Sequence, residues 1–359
     1  ADWHALTTHY DDPGIIPDSI WEMVIDWLAA GVNPSAVNLF IQSQVPEHAE
    51  LHLLLSMITP LGWLERVPSY KDQQEKLKER DLATYGFLGY PLLQSADILI
   101  YKAGLVPVGE DQVAHVELTR EVARRFNHLY GREPGFEEKA EQAKKKMGKK
   151  NAKMFDRLRR AYQEQGDDEA LEVARALLET QQNITVGDRE RLYGYLEGGG
   201  RIILPEPQPL LTKASKMPGL DGQKMSKSYG NTIDIFCTKE ELRKNVMRIV
   251  TDSTPVEAPK DPDRCILFAI YSLFLDEEGQ KQLAGRYRAG GLRYSDVKKE
   301  LVETIWTYFD PQRQKREALA HDLSYVYDVL ETGARKARER ACPTIEAVRE
   351  RVGIRYTGG

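Results

Sequence analysis

The stretch Lys224-Met225-Ser226-Lys227-Ser228 places two lysines on either side of a Met-Ser pair, directly after Gly219-Leu220-Asp221-Gly222-Gln223. Lysine is a compact point charge on a flexible stem, so two of them on one short loop can clamp a polyphosphate and stabilise charge moving onto a leaving pyrophosphate. The hydroxyls of Ser226 and Ser228 add hydrogen bonds. Lys224 and Lys227 are therefore candidate catalytic groups, and Met225, Ser226 and Ser228 complete a candidate phosphate loop. By composition alone, the same residues also suit an ordinary solvated basic loop.

A second candidate, Gly109-Glu110-Asp111-Gln112, stands where the apolar run Leu105-Val106-Pro107-Val108 gives way to a helical pattern. A helix N-terminus there offers free N–H groups and a positive dipole end, and Gly109 lets a nucleotide approach the backbone closely. Asp111 suits ribose hydroxyls and Gln112 an ammonium or carboxylate; a plain helix start with an acidic first turn is the equal alternative. Tyr90, Gln94 and Asp97 are spaced four and three apart, which on a helix puts them on one face. A carboxylate at Asp97 in a mostly apolar pocket accepts from an indole N–H or a phenol and rejects ligands without such a donor. The alternative for Asp97 is a core acid satisfied by backbone amides. His48 and His52 stand four apart like a metal pair, but no third ligand follows at motif spacing, so surface or packing roles are expected and no metal site is assigned. Lys146-Met147-Gly148-Lys149-Lys150 mimics the lysine loop within a Lys-rich run and reads as a solvated or RNA-facing surface.

These groups need elements to hold them. Ser19-x-x-Glu22 reads as a capping box, after which Ile20, Val24, Trp27 and Leu28 share a helical face as far as Gly31. Val37 to Ile41 reads as a buried strand, and a leucine-rich helix runs from Pro46 to near Pro60. This β-α-β-α order predicts a parallel sheet with helices on both faces and ligands outside the carboxyl ends of its strands. Residues 109–131 form a long amphipathic helix stopped by Gly131 and Pro134, and 134–196 read as an inserted helical hairpin. Gly198-Gly199-Gly200 reads as a hinge, Arg201 to Leu204 as a strand, and Pro205, Pro207 and Pro209 as a stiff link. Beyond Ile235 the pattern is helical: Thr238-x-x-Glu241 is a capping box, and Leu301, Ile305, Tyr308 and Leu319, Leu323, Val326, Leu330 recur at helical spacing.

With 359 residues, 41% hydrophobic and 29% charged, the chain reads as a two-domain soluble protein. No apolar run reaches the roughly 18 to 20 residues of a membrane span, and the first residues do not resemble a signal peptide, so no membrane partner and a cytoplasmic location are expected. Cys237, Cys265 and Cys342 lie far apart without a CxxC pair, which excludes a disulfide framework or a four-thiolate site. A net charge of −5 argues against indiscriminate nucleic-acid binding. Basic patches are local: Lys144-Lys145-Lys146 with Lys149, Lys150 and Lys153; Arg313, Lys315 and Arg316; Arg335, Lys336, Arg338 and Arg340.

The segments Ala1 to Thr7, Leu39 to Ser43, Tyr90 to Leu99, Val106 to Gln112 with His115 to Arg120, and Lys224 to Ser228 together resemble the bacterial tryptophanyl-tRNA synthetases, whose class I signature KMSKS the last segment matches. The resemblance covers most of the chain and continues through Thr251-Asp252-Ser253. It implies an α/β fold: a Rossmann-like parallel-sheet catalytic domain (1–133 and 201–235, the latter carrying the lysine loop) with a helical insertion (134–200), followed by an α-helical, anticodon-binding C-terminal domain (236–359). It implies ATP as substrate with Mg²⁺, and L-tryptophan, tRNA(Trp) and a second copy in a homodimer as partners. Asp97 would meet the indole N–H, Tyr90 and Gln112 the amino acid's polar groups, and Gly109, Glu110 and Asp111 the adenosine. His4, Val106 and Val108 would line or support the indole pocket. Gln94 stands where many members carry an apolar residue, a departure that bears on its own contact and not on Asp97. A tyrosyl-type enzyme is the nearest rival and a non-catalytic tRNA-binding or tryptophan-sensing paralogue the next. The family's HIGH-like signature lies upstream of Asp2-Trp3-His4; the chain is read as lacking that segment, with its first residues expected to be a strand inside the nucleotide-binding sheet.

Overall fold

A computed structural model describes residues 1–68, 83–211, 217–226 and 229–356. Lys227 and Ser228 of the lysine loop lie outside them. The chain divides into two compact units, one of residues 1–16, 38–212 and 330–359, the other of 17–37 and 213–329.

In the first unit, helices α1 (Asp2–Thr8), α3 (Glu47–Ser56), α4 (Leu61–Leu64), α5 (Tyr85–Leu99) and α6 (Val113–Tyr130) accompany a two-stranded parallel sheet of β1 (Leu105–Val108) and β2 (Gln208–Leu211); α2 (Ile15–Ala30) runs almost wholly in the second unit. Leu51 and Leu55 of α3, Leu92 and Leu99 of α5, and Val122 and Phe126 of α6 are fully buried in one core, which Ala337, Ala341 and Ile345 join from the end of the chain. Helices α7 (Phe136–Lys146), α8 (Lys149–Gln165), α9 (Asp168–Glu179) and α10 (Val186–Leu196) make up the expected insertion as four helices rather than one hairpin. They share a core of their own around Phe155, Leu178, Leu192 and Leu196.

The second unit is helical: α11 (Lys239–Met247), α12 (Ile266–Ser272), α13 (Glu277–Ala289), α14 (Tyr294–Tyr308) and α15 (Asp310–His321), after which α16 (Ser324–Val352) begins there and ends in the first unit. The Thr238 capping box is present, with both the Glu241 amide on the Thr238 hydroxyl and the Thr238 amide on the Glu241 carboxylate. Leu242, Leu267, Tyr287, Leu301 and Ile305 fill its core.

Several expected elements differ. Residues 2–8 are helical, not a strand: Asp2 sits in the first turn where an acid meets the positive dipole end, and Ala5 and Leu6 are strong helix formers. Val37 to Ile41 forms no strand; Val37 is exposed, and Leu39 is pressed against Gly333 of α16, where a Cβ would lie 1.8 Å from the Leu39 carbonyl oxygen. With neither strand formed, the early β-α-β-α order is absent from the described residues, because a five-residue segment with four apolar positions does not settle its own conformation by periodicity alone. Ser19 is no cap, since α2 begins four residues earlier at Ile15, and Trp27 points outward while Val24, Ile25, Leu28 and Ala29 are buried. The second strand is not Arg201 to Leu204 but Gln208–Leu211, with Pro209 opposite Val106; proline is tolerated in such an edge strand. The triple glycine is a packed crossing: a Cβ on Gly200 would lie 2.4 Å from the Gly131 carbonyl carbon, and one on Gly194 1.5 Å from the Gly200 oxygen. Leu323 falls in the break between α15 and α16, so the pattern from Leu319 to Leu330 spans two helices.

Candidate functional site

Helix α5 is capped by Thr84, whose hydroxyl accepts from the Phe87 amide at 3.2 Å. One turn on, Tyr90, Gln94 and Asp97 line one side of a cleft of about 560 Å³, with His4 of α1, Gln112 at the start of α6, and His115. The predicted helical face is thus real, and three residues from elsewhere in the sequence complete it.

Asp97 is not satisfied by backbone amides; three side chains hold it. His48 Nδ1 lies 2.5 Å from Oδ1, His4 Nε2 lies 2.8 Å from Oδ2, and Gln42 Nε2 donates to both oxygens at 2.8 and 3.0 Å. Burial on its own would raise the carboxyl's pKa, but the hydrogen bonds and charges of His4 and His48 outweigh it and bring it down to about 2. His48 is buried on α3, with its other ring nitrogen, Nε2, 2.7 Å from the Tyr101 hydroxyl. Burial, reinforced by the Asp97 and Glu47 charges, pushes the Tyr101 phenol far up, so Tyr101 is a neutral partner. His48 therefore belongs to the Asp97 network and not to a metal pair with His52, whose ring lies against Gly89 and whose pKa burial depresses.

A second network meets the first across the cleft. Gln112 Oε1 lies 2.8 Å from His115 Nδ1 and accepts from Gln94 Nε2 at 3.4 Å; His115 Nε2 lies 3.4 Å from the Tyr90 hydroxyl. Burial is the main cause holding the His115 imidazole below its ordinary pKa. Gln112 also donates to Asp111 at 3.1 Å. Gly109 is not required by φ, which is −74°; a Cβ there would sit 2.6 Å from Asp111 Oδ1, a side-chain atom that would have to turn aside. Glu110–Gln112 is one 3₁₀ turn before α6, and no side chain caps it. Val106 and Val108 stand on one side of β1, half-buried, and do not line this cleft.

The lysine loop belongs to the second unit. Its shape depends on Asn231, which sequence reading passed over: Asn231 is 3% exposed, accepts from the Ser226 amide at 2.7 Å, and donates to Asp221 Oδ1 at 2.8 Å and to the Lys224 carbonyl at 3.2 Å. Asp221 also accepts from the Gln223 amide, and the Asn231 hydrogen bond leads in lowering its pKa. Gly222 takes φ +83° in the turn, a region that favours glycine. The exposed Lys224 is presented from this scaffold.

Gln42, His48, Tyr101 and His115 were not predicted as site residues. His48 carried one legible signal, its four-residue spacing to His52, which suggested a metal pair; Gln42 and His115 stood only within segments of the family resemblance, with no role read for them, and Tyr101 carried no signal, since its role exists only through a contact across 53 positions.

The model of the family described as tRNA synthetases class I (W and Y) matches residues 1–156 and 168–310. A tryptophan–tRNA ligase of Ralstonia nicotianae is 56% identical over 359 residues, spanning 99% of this chain and 90% of that protein. One from Thermotoga maritima is 36% identical over 99% of this chain and 88% of its own length. The crystal structure of tryptophanyl-tRNA synthetase from Campylobacter jejuni complexed with ADP and tryptophan superposes with a TM-score of 0.75 at 32% identity, covering 98% of this chain and 88% of that one.

Proposed function

We propose, on the premise that this chain belongs to the class I tRNA synthetases for tryptophan and tyrosine, that it works as follows. It is an ATP-dependent tryptophan–tRNA ligase with a Rossmann-like fold and a helical C-terminal region. The carboxylate oxygen of L-tryptophan attacks the α-phosphorus of ATP and the bond to the bridging oxygen breaks. Tryptophanyl-adenylate and pyrophosphate result, and the acyl group then passes to the 3′ end of tRNA(Trp) with release of AMP.

The observation that carries the reading of the site is the Asp97 carboxylate, held ionised by three side chains at the wall of the cleft. A fixed anion there selects a ligand that brings an N–H. A carboxylate offers about four acceptor sites, which His48, His4 and the doubly used Gln42 amide occupy, so an indole N–H has to take one of them. His4, about one-fifth exposed on the cleft wall, is the donor placed to turn aside, while the buried His48 stays. Tyr90 and Gln112 receive the amino acid's ammonium and carboxylate, with Gln94 bracing Gln112, and Gly109 to Asp111 receive the adenosine.

No protein nucleophile is needed; positioning and charge neutralisation supply the catalysis. Lys224 and Lys227 take up charge on the departing pyrophosphate. Mg²⁺ prefers phosphate and water oxygens to an all-protein cage, and among the described residues no three His, Cys, Asp or Glu side chains converge as a metal site; it fits here as ATP's own counter-ion. A homodimer and a cytoplasmic location rest on the family reading alone; no described helix is long and apolar enough to cross a membrane. Exchange of labelled pyrophosphate into ATP should depend on tryptophan and not on tyrosine, and tRNA(Trp) should be charged. Exchange driven by tyrosine alone would overturn the substrate assignment.

A further inference from the structure

Between Lys144 and Arg160 the chain carries nine lysines and arginines against one acid, Asp156, although the whole protein has a net charge of −5. Most charged partners in the insertion are paired. Lys144 reaches Glu141 and Asp156 at 2.7 Å, Lys146 reaches Asp188 at 2.7 Å, and Arg159 stacks on Tyr195 with its guanidinium 3.7 Å from the ring centre. Lys149, Lys150, Lys153, Arg157 and Arg160 of α8 differ: all five are exposed, and among the described residues none makes a side-chain hydrogen bond or ion pair. At 3.6 residues per turn they fall within an arc of about 100°. Phe155 and Leu158 lie on the opposite side and anchor the helix in the insertion's core. Glu164, near the C-terminal end of α8, is the one acid on the same arc.

Two observations point to what covers this stripe. Helix α8 opens with Lys149 and Lys150 in its first turn, no acid there, and no side chain capping its amides. Cations at that end oppose the helix dipole, an arrangement that an anion bound from outside would relieve. From Lys150 onward, successive members of the stripe stand three or four residues apart, with about 5–6 Å between neighbouring Cβ atoms, a step of the same order as that between phosphates on one nucleic-acid strand. The other basic patches singled out in the sequence are largely neutralised. Arg316 pairs with Glu22 and Asp26, Arg313 lies over Trp306, Lys315 donates to the Leu28 carbonyl, Arg338 pairs with Glu47 and Arg335 with Glu339.

The geometry points to α8 of the insertion as a binding surface for the phosphate backbone of an RNA, read without base contacts. Resting on the ligase reading above, that RNA is the tRNA substrate. The full-length enzyme carrying Lys149→Ala, Lys153→Ala and Arg157→Ala together tests it; alanine at exposed helical positions keeps the helix, and circular dichroism checks that it has. The KM for tRNA in aminoacylation is expected to rise about tenfold near 0.1 M salt. The slope of log KM against log salt should fall by about 2 to 3, close to one per lost phosphate contact, and a variant with Lys149→Arg and Lys153→Arg that keeps Arg157 should retain both the parent KM and the parent slope. Tryptophan-dependent pyrophosphate exchange without tRNA should not change. An unchanged tRNA KM and salt slope in the triple variant would overturn this inference, as would binding lost to an acidic protein with tRNA use intact. A parent enzyme without tryptophan-dependent exchange would overturn the ligase reading instead.

Discussion

Three side chains converge on the half-buried Asp97, and the selectivity proposed for the cleft and the protein's response to acid can both be tested at this one residue. Asp97→Asn keeps the size but replaces one acceptor by an amide donor that faces the donors of His48 and His4. Leaving such groups unpaired costs about 1–3 kcal/mol, so the tryptophan KM in pyrophosphate exchange is expected to rise roughly tenfold to a hundredfold, with the KM for ATP little changed. The folded carboxyl's pKa of about 2 lies below its ordinary 3.8. Its contribution to stability is therefore complete above about pH 4 and lost as pH falls from there towards 2, where the folded carboxylate protonates as well; it amounts to about 2 kcal/mol. Urea midpoints of the parent and the asparagine variant should differ at pH 6, draw together as the pH falls below about 3.8 and converge only once it passes below about 2. A gap that stays constant over that range would show that the carboxylate's charge is not what stabilises the fold.

Among the elements, the glycine crossing and the lysine loop make separable demands. Gly200→Ala would drive a Cβ to 2.4 Å from the Gly131 carbonyl carbon and 2.7 Å from the Arg132 amide, both backbone atoms that cannot step aside. It is expected to lower stability by about 2–4 kcal/mol. Gly199→Ala meets only the Gly194 oxygen at 3.9 Å and should fall within about 0.5 kcal/mol of the parent; equal losses in the two, by chemical denaturation, would restore the hinge. For the loop, Asn231→Ala removes the acceptor of the Ser226 amide and the donor to Asp221. If the lysine loop acts on the leaving group as proposed, this variant and Lys224→Ala should each lower the single-turnover rate of adenylate formation about tenfold or more while tryptophan affinity, by equilibrium binding, stays close to the parent's. A weakened tryptophan affinity with an unchanged rate would remove the loop from the chemistry.

For the whole molecule, separate cores imply separable stabilities. Leu301 is fully buried in the core of the second unit and Leu92 in that of the first. Each leucine-to-alanine change should cost about 2–5 kcal/mol, and scanning calorimetry is expected to show Leu301→Ala lowering one unfolding transition and Leu92→Ala the other. One transition shifted equally by both would mean a single cooperative unit.

Local order was legible where local physics dictates it. The Tyr90 to Leu99 helix face, the strand at Leu105–Val108, the long helix after Gln112 and the Thr238 cap all follow from spacing, capping chemistry and periodicity within a few residues. The lysine loop and the candidate role of Asp97 were proposed from residue types and short spacings in the same way. Elements whose state depends on a partner were not. The strand expected at Ala1 to Thr7 rested on the family resemblance and not on pattern, Val37 to Ile41 is a short, mostly apolar run that pattern alone leaves open, and Arg201 to Leu204 yielded its place to Gln208–Leu211, which has β1 beside it. Only the tertiary structure could bring Gln42 and His48 to Asp97 across 55 and 49 positions, and Asn231 back under the loop it shapes. A sequence records which donors and acceptors exist, but a buried charge is satisfied by whichever of them folding places within hydrogen-bond reach, and that choice is made by the packing of helices distant along the chain.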